Sequence, residues 1–270
     1  MGNTGKFYIF EKAPKIVNID QLLVLKRYIL FFAAALIATA AKAQSGYNYQ
    51  EWGVGAGASY ERGYTNITTQ FNHPAFNVNL VYNYNPYLPV EAEIQIGQLS
   101  GGGLGPGGTL APKLDPYGRF YVNNYKALIF HADFQLGAGI DYSDSWFLNI
   151  VKNFYGGTGF GFISNTNTVQ RTSVVDPTYT FPGHSNSLDL MVPIRVGYEF
   201  KIFDSYNEPS WAIDIGYVHS FAFGEGLDGY DDPSSKFKNN AIDQYRQFTI
   251  QFKYYFGRVV SFNKLITTFR

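Results

Sequence analysis

The chain has 270 residues, of which 46% are hydrophobic, 18% aromatic and only 16% charged, with 22 Tyr, 24 Phe and 28 Gly. Its 21 basic and 21 acidic residues cancel, so it lacks the field that holds a polyanion, and nucleic acid is not an expected partner. With no cysteine it builds neither a disulfide framework nor a thiolate metal centre.

Residues 1–43 read as leader and signal peptide. Lys26 and Arg27 precede the apolar run Tyr28–Ala40, and Ala41-Lys42-Ala43 offers a small-x-small cleavage site before Gln44. The run, about 13 residues, falls short of the ~20 that a transmembrane helix needs, so export is expected, with the mature chain starting near Gln44.

From Glu51 onward the pattern changes to alternation, and successive side chains of a strand point to opposite faces. The first segment sets Trp52, Val54, Ala56, Ala58 and Tyr60 against Glu51, Gly53, Gly55 and Gly57. The second sets Phe76, Val78, Leu80, Tyr82 and Tyr84 against Asn77, Asn79 and Asn83, and the Asn85-Pro86 pair opens a turn. The third carries Val90, Ala92, Ile94 and Ile96 on one face and Glu91, Glu93 and Gln95 on the other. After a Gly/Pro-rich loop, 101–118, the fourth (Leu128–Leu136) opposes Leu128, Phe130 and Phe134 to His131, Asp133 and Gln135. Residues 137–153 read as a turn with a short helical piece around Trp146–Val151. The fifth segment, Phe154–Ile163, puts Gly157, Gly159 and Gly161 on the polar parity.

The sixth, Leu188–Phe203, is the most regular. Leu188, Leu190, Val192, Ile194, Val196, Tyr198, Phe200 and Ile202 form one wall, while Asp189, Arg195, Glu199 and Lys201 carry every charge on the other. The seventh sets Trp211, Ile213, Ile215, Tyr217, Phe221 and Phe223 against Asp214, Gly216 and Ser220. After a loop at 224–243, the eighth sets Phe248, Ile250, Phe252, Tyr254 and Phe256 against Gln247, Thr249, Gln251 and Lys253.

Strands with one wholly apolar and one charged face, in an even number, predict an all-β, eight-stranded antiparallel up-and-down transmembrane β-barrel over residues 44–258. A tail, 259–270, follows. Long links after the first, third, fifth and seventh segments alternate with short ones after the second and sixth, as outer loops alternate with periplasmic turns. Only the link after the fourth breaks the rule. Trp52, Tyr84, Tyr198, Trp211 and Tyr254 are expected at the periplasmic interface, and Tyr60, Phe221 and Phe223 at the outer one. A secreted soluble barrel would bury the apolar parity instead, yet that parity is far more apolar than a wet surface requires.

The NPYLPVEAEIQIGQLSGG segment, the eight alternating strands and the late FTIQFKYYFGR strand resemble the small outer-membrane β-barrels of Bacteroidota, an OmpA/OmpX-like group that includes PorT-like proteins. The resemblance covers most of residues 45–258. It implies residence in the outer membrane of a Gram-negative bacterium, contact with lipid and lipopolysaccharide, and insertion by the barrel-assembly machinery. An envelope or secretion-complex protein is the implied partner, and the group is mixed in function. One departure is the end of the chain, where Phe269 is penultimate and the last strand does not close the sequence.

Local motifs for chemistry are weak. Gly101–Gly108 lacks the Gly-Lys-Ser/Thr of a phosphate loop. His73, His131, His184 and His219 are not at ligand spacing, so no metal or other cofactor is expected. His184-Ser185-Asn186-Ser187 resembles the His-x-Ser-Asn element of outer-membrane lipid A deacylases, but the spacing departs and no carboxylate is assignable to the imidazole. The chain is therefore expected not to be an enzyme.

The inward charges form the better constellation. Glu91, Glu93, Asp133, Asp189, Glu199 and Asp214 would meet Arg195, Lys201, Lys253 and His131. An eight-stranded barrel is just wide enough for its own side chains, and buried charges must pair. A plugged lumen follows, with a narrow ion path or a lipid A-modifying enzyme as the alternatives to a structural or interaction role.

Overall fold

The computed structural model describes residues 48–143, 145–231, 233 and 242–262. The expected leader, 1–43, and the tail beyond Phe262 lie outside the described residues. Eight strands run in chain order: β1 (Asn48–Tyr64), β2 (Gln70–Asn85), β3 (Leu88–Gly102), β4 (Phe120–Gln135), β5 (Phe154–Val169), β6 (Asn186–Phe203), β7 (Pro209–Phe223) and β8 (Gln244–Ser261). Each pairs antiparallel with the next, and β8 returns to β1, from Tyr64↔Gln244 at one rim to Asn48↔Ser261 at the other, closing the barrel. Closure leaves no unpaired sheet edge, which hydrocarbon would penalise. Where Pro193 interrupts the ladder between β5 and β6, Thr158 Oγ1 donates to its carbonyl at 2.9 Å.

The apolar parity faces outward. Phe76, Val78, Ile94, Phe130, Phe160, Ile194, Ile250 and Phe252 are all exposed, whereas Glu91, Glu93, His131, Asp133, Arg195, Glu199, Asp214 and Lys253 are all buried inside. Water would destabilise such an inverted distribution and hydrocarbon stabilises it, so the wall is a lipid-facing one. Side chains of this kind on a closed antiparallel barrel are those of an outer-membrane protein.

The strands run past the segments read from alternation. β4 begins at Phe120, β5 continues to Val169, and β8 reaches Ser261, so residues 259–261 of the expected tail belong to the barrel. Leu136 leaves β4 for a 3₁₀ turn, Leu136–Ala138. The first outer link is only residues 65–69, much shorter than expected. Beyond the apolar band both faces meet polar surroundings, so the alternation fades while the backbone ladder continues. The long links, 103–119, 170–185 and 224–243, share one rim and mark it as the outer one. On the other rim, the link after β4 carries helix α1 (Trp146–Val151), where Ser145 Oγ accepts from the Leu148 N–H at 3.4 Å.

Candidate functional site

The middle of the lumen is filled by two linked ion-pair groups. Lys253 Nζ lies 2.6 Å from Glu91 Oε1, 2.9 Å from Asp214 Oδ2 and 3.3 Å from Glu199 Oε2. Carboxylate oxygens of Glu91, Asp133 and Asp214 come within 4.8 Å of one another, a repulsive cluster that this ammonium and the Arg195 guanidinium neutralise. Tyr155 OH donates to Asp214 at 2.8 Å, Gln135 Nε2 to Glu199 at 3.1 Å, and Lys201 Nζ reaches Glu199 at 3.6 Å. In the second group Arg195 Nε donates to Asp133 Oδ1 at 3.1 Å, and Nη1 lies 3.5 Å from Glu93 Oε2. His131 bridges the same two acids, with Nε2 3.3 Å from Glu93 and Nδ1 3.5 Å from Asp133. Amides complete the layer: Asn79 donates to Glu91, and Asn77 donates to Glu93 at 2.9 Å.

Glycine makes the layer fit. A Cβ on Gly157 would sit 1.9 Å from Asp133 Oδ1, so this glycine gives up its volume to the carboxylate opposite, while Gly159 and Gly161 let the β4 backbone approach.

Both mouths are closed. At the periplasmic end the hydroxyls of Tyr87 and Tyr142 are hydrogen-bonded, and Phe262 packs edge-on against Tyr87 with ring centroids 5.9 Å apart. Lys201 Nζ donates to the Pro86 carbonyl and, at 2.8 Å, to Gln135 Oε1. At the outer end Tyr125 OH and Gln247 Nε2 donate to the buried Glu61 at 2.5 and 2.9 Å. Above them residues 224–231, which follow β7, fold inward as a cap. Leu227 and Tyr230 are fully buried, Asn123 Nδ2 donates to Leu227 O at 3.0 Å, and Asn167 Nδ2 donates to Gly226 O at 2.7 Å. Arg171 Nη1 ties Gly229 O at 2.7 Å, and the Phe181 ring stands edge-on to Tyr230.

The cap is itself pH-sensitive. Asp243 Oδ2 accepts from the Leu227 N–H at 2.9 Å. Burial, reinforced by Asp228, Glu225 and Asp189, pushes its carboxyl well above the ordinary 3.8. Between those two values the folded cap keeps a proton that the unfolded chain has lost, so cap stability falls as pH rises through that window. Hydrogen exchange at Leu227, corrected for its intrinsic pH dependence, is expected to be faster at pH 8 than at pH 5. Asp243→Asn, which still accepts but cannot ionise, should erase the difference; an unchanged pH response would place the sensor elsewhere.

Of the lumen residues expected from parity, Glu91, Glu93, Asp133, Arg195, Glu199, Lys201, Asp214 and Lys253 meet in the central layer. Asp189 does not. It accepts from Asn165 Nδ2 at 2.8 Å and Ser187 Oγ at 2.7 Å, under the cap. Parity gives the face but not the height, and Asp189 stands roughly 20 Å along β6 from Arg195 at ~3.3 Å per residue.

Of the expected interface aromatics, Trp52, Tyr60, Tyr84, Trp211 and Tyr254 are exposed on the outer wall, with Trp211 and Tyr254 in ring contact at 4.7 Å. Tyr198 is not a lipid-facing ring. It is 9% exposed, wedged between Phe154 and Phe200, and its hydroxyl donates to Ile150 O of α1 at 2.7 Å. Phe221 is half-buried because His219 packs on it at 4.9 Å, whereas Phe223 is exposed. Sequence reading missed Trp146, 77% exposed on α1, because helical spacing in so short a piece carries no period.

The serine–histidine element of the outer loop has no catalytic geometry. His184 is exposed, and Ser187 Oγ donates to Asp189, so among the described residues no hydroxyl is bonded to that imidazole. A histidine–serine contact does occur elsewhere, between His73 Nε2 and Ser100 Oγ at 2.6 Å. It lies where the β2–β3 register shifts between Phe71 and Ala75, and no described carboxylate orients His73. The contact staples that irregularity.

No protein-family model and no curated protein matches the chain. Among solved structures it is similar to Neisserial surface protein A, at a TM-score of 0.41 and 9% identity over 78% of this chain and 99% of that one. Ail, the attachment invasion locus protein of Yersinia pestis, gives 0.39 at 13% identity, covering 77% of this chain and 99% of that one. OprG of Pseudomonas aeruginosa gives 0.33 at 10% identity, covering 79% and 99%. Likenesses this distant bring no activity or partner with them. The lipid-facing wall and the filled lumen carry the assignment to the outer membrane.

Proposed function

We propose that this barrel is a closed anchor whose structured outer cap serves contact with a partner or a surface, and that it transports and transforms nothing. The observation that carries the reading is the filling of the lumen along its whole length: an aromatic floor at Tyr87 and Tyr142, the Lys253 and Arg195 ion-pair layer, and the inward-folded cap of Leu227 and Tyr230. A water path needs continuous polar space, and here the floor, the ion-pair layer and the cap are each occupied by buried side chains. Three long links remain for recognition, and their backbone is held by buried hydrogen bonds such as Asn123 to Leu227 O, a preorganisation that suits a binding surface. The sequence pattern supports placing the chain in the Bacteroidota group with PorT-like members. It also supports an envelope or secretion-complex protein as the partner, beside outer-membrane lipid, lipopolysaccharide and the assembly machinery.

Purified protein in planar bilayers is expected to give no discrete conductance steps. Reproducible single-channel openings by the parent protein would replace the anchor reading with the ion-path one. Acyl release from lipopolysaccharide would replace it with the enzymatic one.

A further inference from the structure

One feature of the outer wall is at odds with its surroundings. Arg62 of β1 and Arg246 of β8 are Cα partners, both of outward parity, and His219 of β7 is the Cα partner of Arg246 on the other side. Like charges directly opposite in an antiparallel pair repel. Among the described residues no carboxylate relieves them: neither arginine makes an ion pair there, and on the described strands the outward positions beyond Tyr60 and Phe248 hold Arg62, Lys126, His219 and Arg246 but no acid. Of the described acids near this level, Glu61, Asp189 and Asp243 point inward, and Glu225 accepts from Asn66 Nδ2 at 3.3 Å.

The two heads are fixed rather than dispersed into solvent. Arg246 stacks its guanidinium 5.1 Å over the Tyr64 ring. Tyr64 in turn lies 6.2 Å from the His219 ring, whose Nε2 is 2.8 Å from Gln244 Oε1 and whose Nδ1 is 3.3 Å from Tyr217 OH. The Arg62 Nε is buried and meets no protein acceptor. A groove of about 440 Å³ is lined by Arg62, Tyr64, Thr65, Thr68, His219 and Gln244 among others, and Arg246 borders it through its stack on Tyr64. That volume is within the ~300–1,000 Å³ of sites that hold a whole small molecule rather than a bare ion. Its height is equally specific. The site is one outward step above the aromatic pair Tyr60 and Phe248, about 7 Å at ~3.3 Å per residue, so it lies where apolar wall gives way to headgroups.

We propose that Arg62, Arg246 and His219 form a binding site for the phosphorylated sugar headgroup of an outer-leaflet glycolipid. A phosphate between the guanidiniums replaces their repulsion with two charge-assisted contacts, and arginine forks match phosphate oxygens in pairs. Threonine hydroxyls and the Gln244 amide are at hand for sugar oxygens, and the acyl chains would run down the apolar wall below. The inference rests on the barrel lying in the outer membrane but not on the cap's role.

The test uses full-length protein in nanodiscs. Bis-phosphorylated lipid A, lipid A stripped of phosphate, phosphatidylglycerol and free inorganic phosphate serve as probes, with binding read by native mass spectrometry and calorimetry. Bis-phosphorylated lipid A is expected to bind at least tenfold more tightly than each of the others, and R62Q/R246Q should abolish that preference. A variant removing equal charge elsewhere, K113Q/R258Q, should keep it. In lipid-free neutral detergent R62Q/R246Q is expected to be at least as heat-stable as the parent, because it sheds the repulsion. A merely structural arginine pair would give the opposite sign. Equal binding of phosphorylated and stripped lipid A, or an R62Q/R246Q protein that binds like the parent, would overturn the site. Equal binding of free phosphate would reduce it to an adventitious anion site. Recovery of the parent protein in a soluble fraction would instead overturn the membrane placement, and is read separately.

Discussion

Lys253→Met is expected to be the most damaging single substitution in this barrel. Its ammonium holds Glu91 at 2.6 Å, Asp214 at 2.9 Å and Glu199 at 3.3 Å, all of them buried. Methionine fills the same volume but leaves Asp214 and Glu91 without their close cation and Glu199 with only Lys201 at 3.6 Å, their mutual repulsion intact. Breaking a buried pair by removing one partner costs roughly 3–5 kcal/mol, and three acids share this one, so the loss should fall at the upper end of that range. Urea unfolding in detergent micelles, followed by the gel shift between folded and boiled forms, measures it. Adding Glu91→Gln should restore part of the loss, by a coupling of about 0.5–3 kcal/mol. If Lys253→Met is as stable as the parent, the layer is not held by ion pairing.

Arg195→Ala should come next. Arg195 bonds Asp133 at 3.1 Å and approaches Glu93 at 3.5 Å, and only His131 would remain between these acids. A loss of roughly 3–5 kcal/mol is expected again. Arg195→Leu should do no better, since restoring volume does not neutralise carboxylates. Variants of parent-like stability that open an ion conductance would show that the residues form a pathway instead of a plug.

The contrast between these two residues and Asp189 shows what a sequence of this kind reveals. Strand number and facing were legible because the solvent on one side is hydrocarbon and the period is two, so Ile194, Arg195 and Val196 declare their sides without any neighbour being known. Partners were not legible. Glu91 of β3 and Lys253 of β8 are not on adjacent strands, and they meet only because the sheet closes around a lumen as narrow as its contents. Height was equally hidden, which is why Asp189 joined the wrong group. Tyr198 failed for a third reason: Phe154 and Phe200 pack on its ring and its hydroxyl is drawn to Ile150 O of α1, contacts that no strand pattern carries. Tyr125, Tyr155 and Tyr245 belong to the lumen as fully as the charges do, but they are single members of polar or aromatic stretches whose alternation is weak.

The unequal lengths of wall above the apolar band give the outer rim a slope. On one flank β5 continues through Ser164–Val169, paired to Phe120-side residues of β4, with outward Asn124, Ser164 and Thr166 in place of apolar groups. That stretch adds roughly 20 Å along the strand, or roughly 15 Å of height at a tilt of about 40°. On the other flank β1 and β2 turn back at residues 65–69. The rim is thus a parapet, high over β4 and β5 and low over β1 and β2. Along the described strands, a body moving over the cell surface would meet a barrier from one direction and a ramp from the other.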